Sequence, residues 1–167
     1  MTSIIKVNEI QDAGGNTILS SNGTGTFTSN LGGGKVLQVV TATDTTTRST
    51  TSSSFVTASN TLSVSITPSS TSNKIFVIAT FGIGMSSTTH TGAVTIYRDA
   101  TDLGNGGGGM SYVKGAGDDG MAFSASVLDS PSSSSALTYQ IYIKNLSGGT
   151  TYLNAGKSSI TAFEIGA

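Results

Sequence analysis

Residues 136–144 read ALTYQIYIK and residues 61–67 read TLSVSIT, and in both stretches apolar and polar side chains alternate. In the longer stretch one face carries Leu137, Tyr139, Ile141 and Ile143. Alternation with a period of two is the pattern of a β-strand that buries one face. Because Tyr142 falls on the opposite face, we expect either Tyr142 or Tyr139 to point outward or to lie at a subunit interface. Both stretches therefore predict strands that cover a core.

A third stretch, residues 74–85 with the sequence KIFVIATFGIGM, is apolar on both faces at first and then alternates. This pattern predicts a central strand of a sheet. Alternation or a β-branched composition predicts further strands over residues 36–43, 93–98, 121–128, 150–154 and 159–165. Ser-, Asn-, Asp- and Gly-rich connections separate these stretches. Short strands with turn signals at this spacing indicate an all-β chain folded as a sandwich or barrel.

Residues 104–120 form a glycine-rich excursion between two predicted strands. It contains GNGGGG at residues 104–109, but no Gly-Lys-Ser/Thr sequence and no βαβ context, so a phosphate-binding loop is excluded. We predict a mobile surface loop with a short strand around residues 110–113.

The composition of the 167-residue chain excludes several kinds of partner. Only 10% of the residues are charged and the net charge is −1, so there is no cationic field for binding nucleic acid. No apolar run approaches the length needed to span a bilayer, and we expect no membrane insertion. The chain has no Cys, hence neither disulfides nor thiolate metal ligands. Ser and Thr together number 53, which gives a surface of hydroxyl groups.

The first 34 residues differ from the rest and end in the hinge-like sequence LGGG. Strands as short as these cannot bury their apolar side chains within one chain. We therefore predict an arm over residues 1–34 that intertwines with identical chains or docks onto a larger assembly, followed by a head over residues 35–167. The apolar residues of the predicted arm are Ile4, Ile5, Val7, Ile10, Ile18, Leu19 and Phe27.

The sequence offers little to a catalytic site, and we expect no enzyme activity, no cofactor and no metal. His90 is the single histidine, and it lies in a predicted loop as a solvated residue or a polar contact to a receptor. Paired carboxylates could hydrolyse a glycoside, or Asp118 and Asp119 could ligate Ca²⁺, but the acidic loop pattern of a calcium site is missing. The candidate pairs are Asp99 with Asp102 and Asp118 with Asp119, each in a predicted turn or loop.

The N-terminal sequence SIIKVNEIQDAGGNTIL, residues 3–19, resembles the opening of small tail-fibre-type virion proteins of tailed bacteriophages, particularly those of marine and cyanobacterial hosts. The remainder resembles the globular heads that follow such openings, in residues 54–85, in TIYRDATDLG at 95–104 and in SSITAFEIGA at 158–167. The resemblance implies a homotrimer with a β-structured stem or attachment arm and a jelly-roll head similar to those of the tumour-necrosis-factor and C1q type. It implies no catalytic residues.

The resemblance implies a virion-surface protein whose arm attaches to other tail, baseplate or capsid proteins. As a short tail or baseplate fibre, the head would contact a host glycan or outer-membrane protein through loops that carry His90, Asp99, Asp102, Asp118 and Asp119. As a capsid decoration, meaning a cement protein or head fibre, it would need no receptor. A polysaccharide depolymerase is the more distant alternative.

Overall fold

The computed structural model describes residues 7–24, 27–29, 34–104, 106–114 and 121–167. The chain divides into two compact units, Met1–Gly34 and Lys35–Ala167. In the described residues the strands are β1 (Glu9–Gln11), β2 (Thr17–Ser21), β3 (Phe27–Ser29), β4 (Val36–Asp44), β5 (Arg48–Thr50), β6 (Val56–Thr57), β7 (Ser63–Ile66), β8 (Lys74–Met85), β9 (Thr91–Arg98), β10 (Thr101–Asp102), β11 (Ser111–Lys114), β12 (Met121–Asp129), β13 (Leu137–Asn145) and β14 (Thr151–Ile165). A single turn of 3-10 helix spans Gly106–Gly108, and the described residues contain no α-helix.

The first unit is a three-stranded antiparallel meander in the order β1-β2-β3. The carboxylate of Asp12 closes the turn between β1 and β2, because it accepts hydrogen bonds from the backbone amides of Gly14 (2.8 Å) and Asn16 (2.9 Å). Gly15 supplies the positive φ of 80° that this turn needs. The local turn chemistry therefore accounts for the hairpin.

The second unit consists of two antiparallel sheets that pack as a sandwich, which confirms the all-β sandwich predicted from the sequence. Sheet I has the strand order β12-β8-β14-β4, with β5 beside the first part of β14. Sheet II has the order β10-β9-β13-β6, with β11 also paired to β9 and β7 also paired to β13. The two strands predicted over residues 150–154 and 159–165 are one strand, β14, whose pairing with β8 shifts register between Asn154 and Ser159.

The core lies between the inner faces of the two sheets. β8 is a central strand, as predicted, and every second residue along it is buried. β13 supplies the facing surface: its alternating residues Leu137, Tyr139, Ile141 and Ile143 are buried. Tyr139 is therefore the inward tyrosine, and Tyr142 points outward, so the sequence expectation that one of the two faces out is confirmed.

A buried carboxylate links the two sheets at one end of the core. Asp129, at the end of β12 in sheet I, accepts two hydrogen bonds of 2.8 Å from Nη1 of Arg98 in sheet II. It also accepts one of 2.7 Å from the hydroxyl of Tyr139. Burial, and then this hydrogen bond, raise the pKa of the Tyr139 phenol far above its usual range. The phenol thus stays protonated and donates across the interface between the sheets.

A second buried carboxylate, Glu164 of β14, fixes the loop between β7 and β8. Its Oε1 accepts hydrogen bonds from the backbone amide and the hydroxyl of Ser69 (2.6 and 2.7 Å) and from the side-chain amide of Asn73 (2.7 Å). Burial alone would raise the pKa of this carboxyl, but the hydrogen bonds from Asn73 and Ser69 outweigh it and lower the pKa below its ordinary value. Glu164 is therefore held in its charged form.

Because the pKa of Glu164 is lower in the folded state, the carboxylate contributes stability above its unfolded pKa of about 4.3 and loses it as the pH falls further. Glu164→Gln is expected to reduce the free energy of unfolding by about 1–2 kcal/mol at pH 7, and the deficit is expected to shrink as the pH falls below about 4. Urea unfolding at several pH values measures this. The exposed Glu9 provides the control, Glu9→Gln. A deficit that does not change with pH would contradict this role.

Candidate functional site

The structure separates the predicted contact residues instead of gathering them. His90 immediately precedes β9 and Asp99 immediately follows it, so they lie at opposite ends of an eight-residue strand, about 25 Å long. Asp118 and Asp119 lie outside the described residues. A receptor contact through these loops remains a prediction, and His90 and Asp99 cannot share one small site.

Each of the three described contact candidates is engaged by other groups of the chain. The Nδ1 atom of His90 lies 2.9 Å from the hydroxyl of Ser86. Asp99, in the turn after β9, has a positive φ of 50° and accepts a hydrogen bond of 2.9 Å from the amide of Thr138 in β13. These contacts shape the loops.

Asp102 belongs to the outer face of sheet II. Its Oδ1 accepts hydrogen bonds from the hydroxyl of Thr95 (2.5 Å) and the amide of Gly104 (2.9 Å). It pairs across the strands with Tyr97, so its side chain lies on the same face as that ring. Of the predicted contact residues that the structure describes, Asp102 is the one placed beside an aromatic surface.

The glycine-rich segment after Asp102 folds back over sheet II in its described part. The amide of Leu103 donates to Ile96 (3.0 Å) and that of Met110 to Val94 (2.9 Å), so both ends are tied to β9. Between them, the ammonium of Lys144 donates to the carbonyl of Gly107. The described part of the loop that was predicted to be mobile is thus held at three points, whereas residues 115–120 lie outside the described residues.

Three aromatic rings lie together on the outer face of sheet II, and we call them the aromatic ledge: Phe55, Tyr97 and Tyr142. The rings of Tyr97 and Tyr142 stack with centroids 4.0 Å apart and planes 24° apart. Phe55 meets Tyr97 edge to face at 6.3 Å, and the ammonium of Lys144 lies 4.4 Å from the centroid of Phe55. Burial, then the charge of Asp102 and the nearby Tyr142, raise the pKa of the Tyr97 phenol. The phenol is therefore neutral at physiological pH.

The outer face of sheet I carries a different surface, which begins with an apolar row across four strands. We define the apolar row as Val39 of β4, Phe163 of β14, Phe76 of β8 and Leu128 of β12, which are consecutive cross-strand partners. Val39 and Leu128 are each 54% exposed, and the rings of Phe76 and Phe163 are 6.1 Å apart. The row is a continuous apolar strip on the outer surface of sheet I, and its two end residues are the most exposed part of it.

Next to the apolar row, the outer face of sheet I carries mainly hydroxyl side chains. The next row consists of Thr41, Thr161, Ile78 and Ser126, and the row after it of Thr43, Ser159, Thr80 and Ser124. Hydroxyl pairs bridge neighbouring strands: Thr41 with Thr161 and Thr80 with Ser159, both at 2.9 Å. These three rows contain no charged residue.

The apolar residues of the predicted arm are partly described. Val7 and Ile10 are about half exposed. Ile18 and Leu19, in β2, are less exposed than these two but are not fully buried. The backbone of Phe27 belongs to β3, and Ile4 and Ile5 lie outside the described residues. The assembly role of these residues remains a prediction.

Groups suited to hold a metal ion are absent from the described ranges, where no three His, Asp or Glu residues cluster. Within the same part of the chain, no helix is long and apolar enough to cross a membrane. The buried carboxylates Asp129 and Glu164 are engaged by protein donors, and so is Asp44, which the hydroxyl of Ser59 contacts. None of the three forms a pair facing a cleft.

Gly109 tests how tightly the glycine segment is packed, because its φ is +63° and an added Cβ would lie 2.6 Å from the carbonyl oxygen of Val94 and 2.7 Å from the ring of Phe55. Gly109→Ala is expected to cost about 2 kcal/mol or more of unfolding free energy. Gly107→Ala is the matched control, since nothing lies within 4 Å of its added Cβ, and its cost should stay within about 1 kcal/mol. Chemical denaturation measures both, and equal costs would contradict the packing described.

Comparisons with known proteins give a weak structural match. No family model matches the chain, and no curated protein matches its sequence. Among solved structures, the infectious bursal disease virus VP2 subviral particle is similar at a TM-score of 0.39 and 13% sequence identity, over 86% of this chain. This chain spans 41% of that chain's length. A similarity of this size assigns neither a family nor a function.

Proposed function

We propose that this protein is a non-enzymatic structural component of a virion, which self-associates as a homotrimer through the outer face of sheet I. The unit of residues 1–34 attaches the trimer to the particle, and the head of residues 35–167 is displayed. The favoured role is a short tail or baseplate fibre for host attachment. The proposal joins the sequence resemblance to one structural observation, the apolar row.

The apolar row carries the proposal because it crosses the whole width of the four-stranded part of sheet I. On an isolated head, Val39 and Leu128 would stay more than half exposed at the two ends of the row. Burying apolar surface stabilises by about 25 cal/mol per Å² removed from water. A second copy of the same face, or the flank of a neighbouring copy, supplies the apolar surface that this row lacks.

The edges of sheet I support self-association as well. Its edge strands, β4 and β12, are each nine residues long and pair on one side only within the described residues. Their charged residues, Asp44 and Asp129, lie at the strand ends and are buried. Long uncharged edges are prone to pair with other chains unless they are covered. Contact between copies covers both the edges and the apolar row.

A closed three-fold arrangement is the form of self-association that we propose. Four strands about 4.8 Å apart and a few residue pairs long present roughly 400 Å², about half of what each partner of a standard stable interface buries. In a closed ring each copy contacts two neighbours through two different patches, so the flanks of the head would have to add to the area that this face supplies. The sequence resemblance implies the same number of copies.

The attachment role follows from what the head displays. A surface with many hydroxyl groups and few charges suits weak polar contacts with a host glycan or outer-membrane protein. Three heads per fibre, and several fibres per particle, raise the avidity of such contacts without any new interaction. A capsid decoration protein, which would need no receptor, is the second candidate.

Self-association is tested by comparing Leu128→Asp with Leu146→Asp. Leu128 lies in the apolar row, and Leu146 is an exposed leucine (41%) in the loop after β13. Light scattering is expected to give three times the chain mass of 16.8 kDa for the unchanged protein and for Leu146→Asp. Leu128→Asp should give the mass of one folded chain, because a carboxylate on this face must be desolvated on assembly. A trimeric Leu128→Asp, or a monomeric unchanged protein, would contradict the assignment.

The place on the particle is tested with gold-labelled antibody against the head, imaged on intact particles of the virus that encodes the chain. We expect label at the tail or its base. Label spread over the capsid would replace the fibre by the decoration protein, and absence of label would refute a virion role. As a control, a chain that lacks residues 1–34 is expected to fold and to be missing from the particles.

A further inference from the structure

We propose that the aromatic ledge binds a neutral saccharide, with the sugar ring stacked on Tyr142. The proposal deepens the attachment role and rests on it only for its biological purpose, because the ledge is argued from its own geometry. It assigns the recognition surface to the outer face of sheet II.

The two stacked tyrosines offer a flat apolar platform. Tyr97 contacts both other rings of the ledge, because it stacks on Tyr142 and meets Phe55 edge to face. Tyr142 stacks on Tyr97, and its side chain is part-exposed. The C–H face of a pyranose is flat and apolar, and tyrosine rings offer broad apolar area at a low entropy cost. The part-exposed ring of Tyr142 is therefore where we place the sugar ring.

Polar groups border this platform on the side of β6 and β7. The cross-strand partner of Tyr142 is the exposed Thr57, and Gln140, two residues earlier on β13, faces Ser63. Such partners lie about 5 Å apart on one face of a sheet. Gln140 donates its side-chain amide to the carbonyl of Ser59 (2.9 Å), which orients its Oε1 as an acceptor. Hydroxyl and amide groups next to an aromatic ring match the alternating donors and acceptors of a sugar.

The charges near the ledge favour an uncharged ligand. Lys144 is 7% exposed, and its ammonium donates to the carbonyl of Gly107 and lies over the ring of Phe55. Asp102 is held by Thr95 and Gly104. Since these two groups are opposite in sign and each is already held by neutral protein groups, the ledge offers no net charge to an anionic or cationic sugar. A neutral hexose or deoxyhexose is the class that fits.

The ledge also lies on the face of the sandwich opposite the proposed contact between copies. Sheet I and sheet II turn their outer faces in opposite directions, so contact between copies through sheet I leaves the outer face of sheet II accessible. A trimer would then present three ledges. Single contacts with dissociation constants of about 1–10 mM, as expected for one sugar ring, would gain strength from this multiplicity.

Titration of the full chain with methyl α-D-glucopyranoside, methyl β-D-galactopyranoside, methyl α-D-mannopyranoside and methyl α-L-fucopyranoside, followed by amide and aromatic chemical shifts, tests the proposal. At least one glycoside is expected to shift the signals of Tyr142, Tyr97 and Thr57 in a saturable manner. Shifts confined to other surfaces, or no saturable shifts with any of the four, would overturn it. Tight binding of an outer-membrane protein at the ledge without glycoside binding would also overturn it.

Three variants separate stacking from folding. Tyr142→Leu keeps an apolar residue on β13 but removes the ring, and it is expected to weaken binding about tenfold. Tyr142→Phe keeps the ring and should bind within about threefold of the unchanged chain. The control is Tyr152→Leu, on the outer face of sheet I, which should leave binding unchanged. Equal losses in Tyr142→Phe and Tyr142→Leu would mean that the ring does not carry the contact.

The two proposals fail separately. If the protein is trimeric and the antibody label lies at the tail but no glycoside binds, the proposed saccharide site is wrong and the proposed fibre role is retained. If the ledge binds a glycoside in a monomeric protein, the site stands and the proposed assembly falls.

Discussion

Strand β8 places apolar side chains on both faces of sheet I. The inner face lies in the core, and the outer face lies on the surface of the head. Its inward residues pack against β9 and β13 and build the core, which orders the head. Its outward Phe76 pairs with Phe163 in a row whose two end residues, Val39 and Leu128, are more than half exposed. One alternating strand thus contributes both to the core of a single copy and to the row through which we propose that copies associate.

The sequence was sufficient to predict the longer strands of the head because a period-two pattern is local, whereas the short strands β5, β6 and β10 were not predicted. It predicted the all-β class, the central position of β8 and the outward position of one tyrosine on β13. It did not predict that residues 150–165 form one strand, because the register shift near Asn154 is set by pairing with β8. Nor did it predict the buried links of Asp129 and Glu164, whose partners lie up to 95 residues away. Such contacts depend on sheet order, which no local pattern encodes.

The candidate surfaces, too, were predicted only where a local sequence pattern marks them. Turn-forming aspartates suggested contact loops, but His90 and Asp99 lie at opposite ends of β9, where His90 contacts Ser86 and Asp99 ties its turn to Thr138 of β13. The aromatic ledge unites residues from three separate segments, and the only local signal of it was the outward phase of Tyr142. In the resulting account, the face of sheet I serves assembly and the face of sheet II serves recognition. The hydroxyl-rich, weakly charged surface suits both contacts because little charge must be desolvated.

The claim that copies meet through sheet I is tested most directly by intermolecular distances between spin labels. The chain has no Cys, so a single Ser126→Cys variant labels the outer face of sheet I and Ser65→Cys labels that of sheet II. Double electron–electron resonance is expected to give an intermolecular distance shorter for the first variant by at least about 10 Å, the separation of two packed sheets. No intermolecular distance in either variant, or a shorter one for Ser65→Cys, would contradict the account.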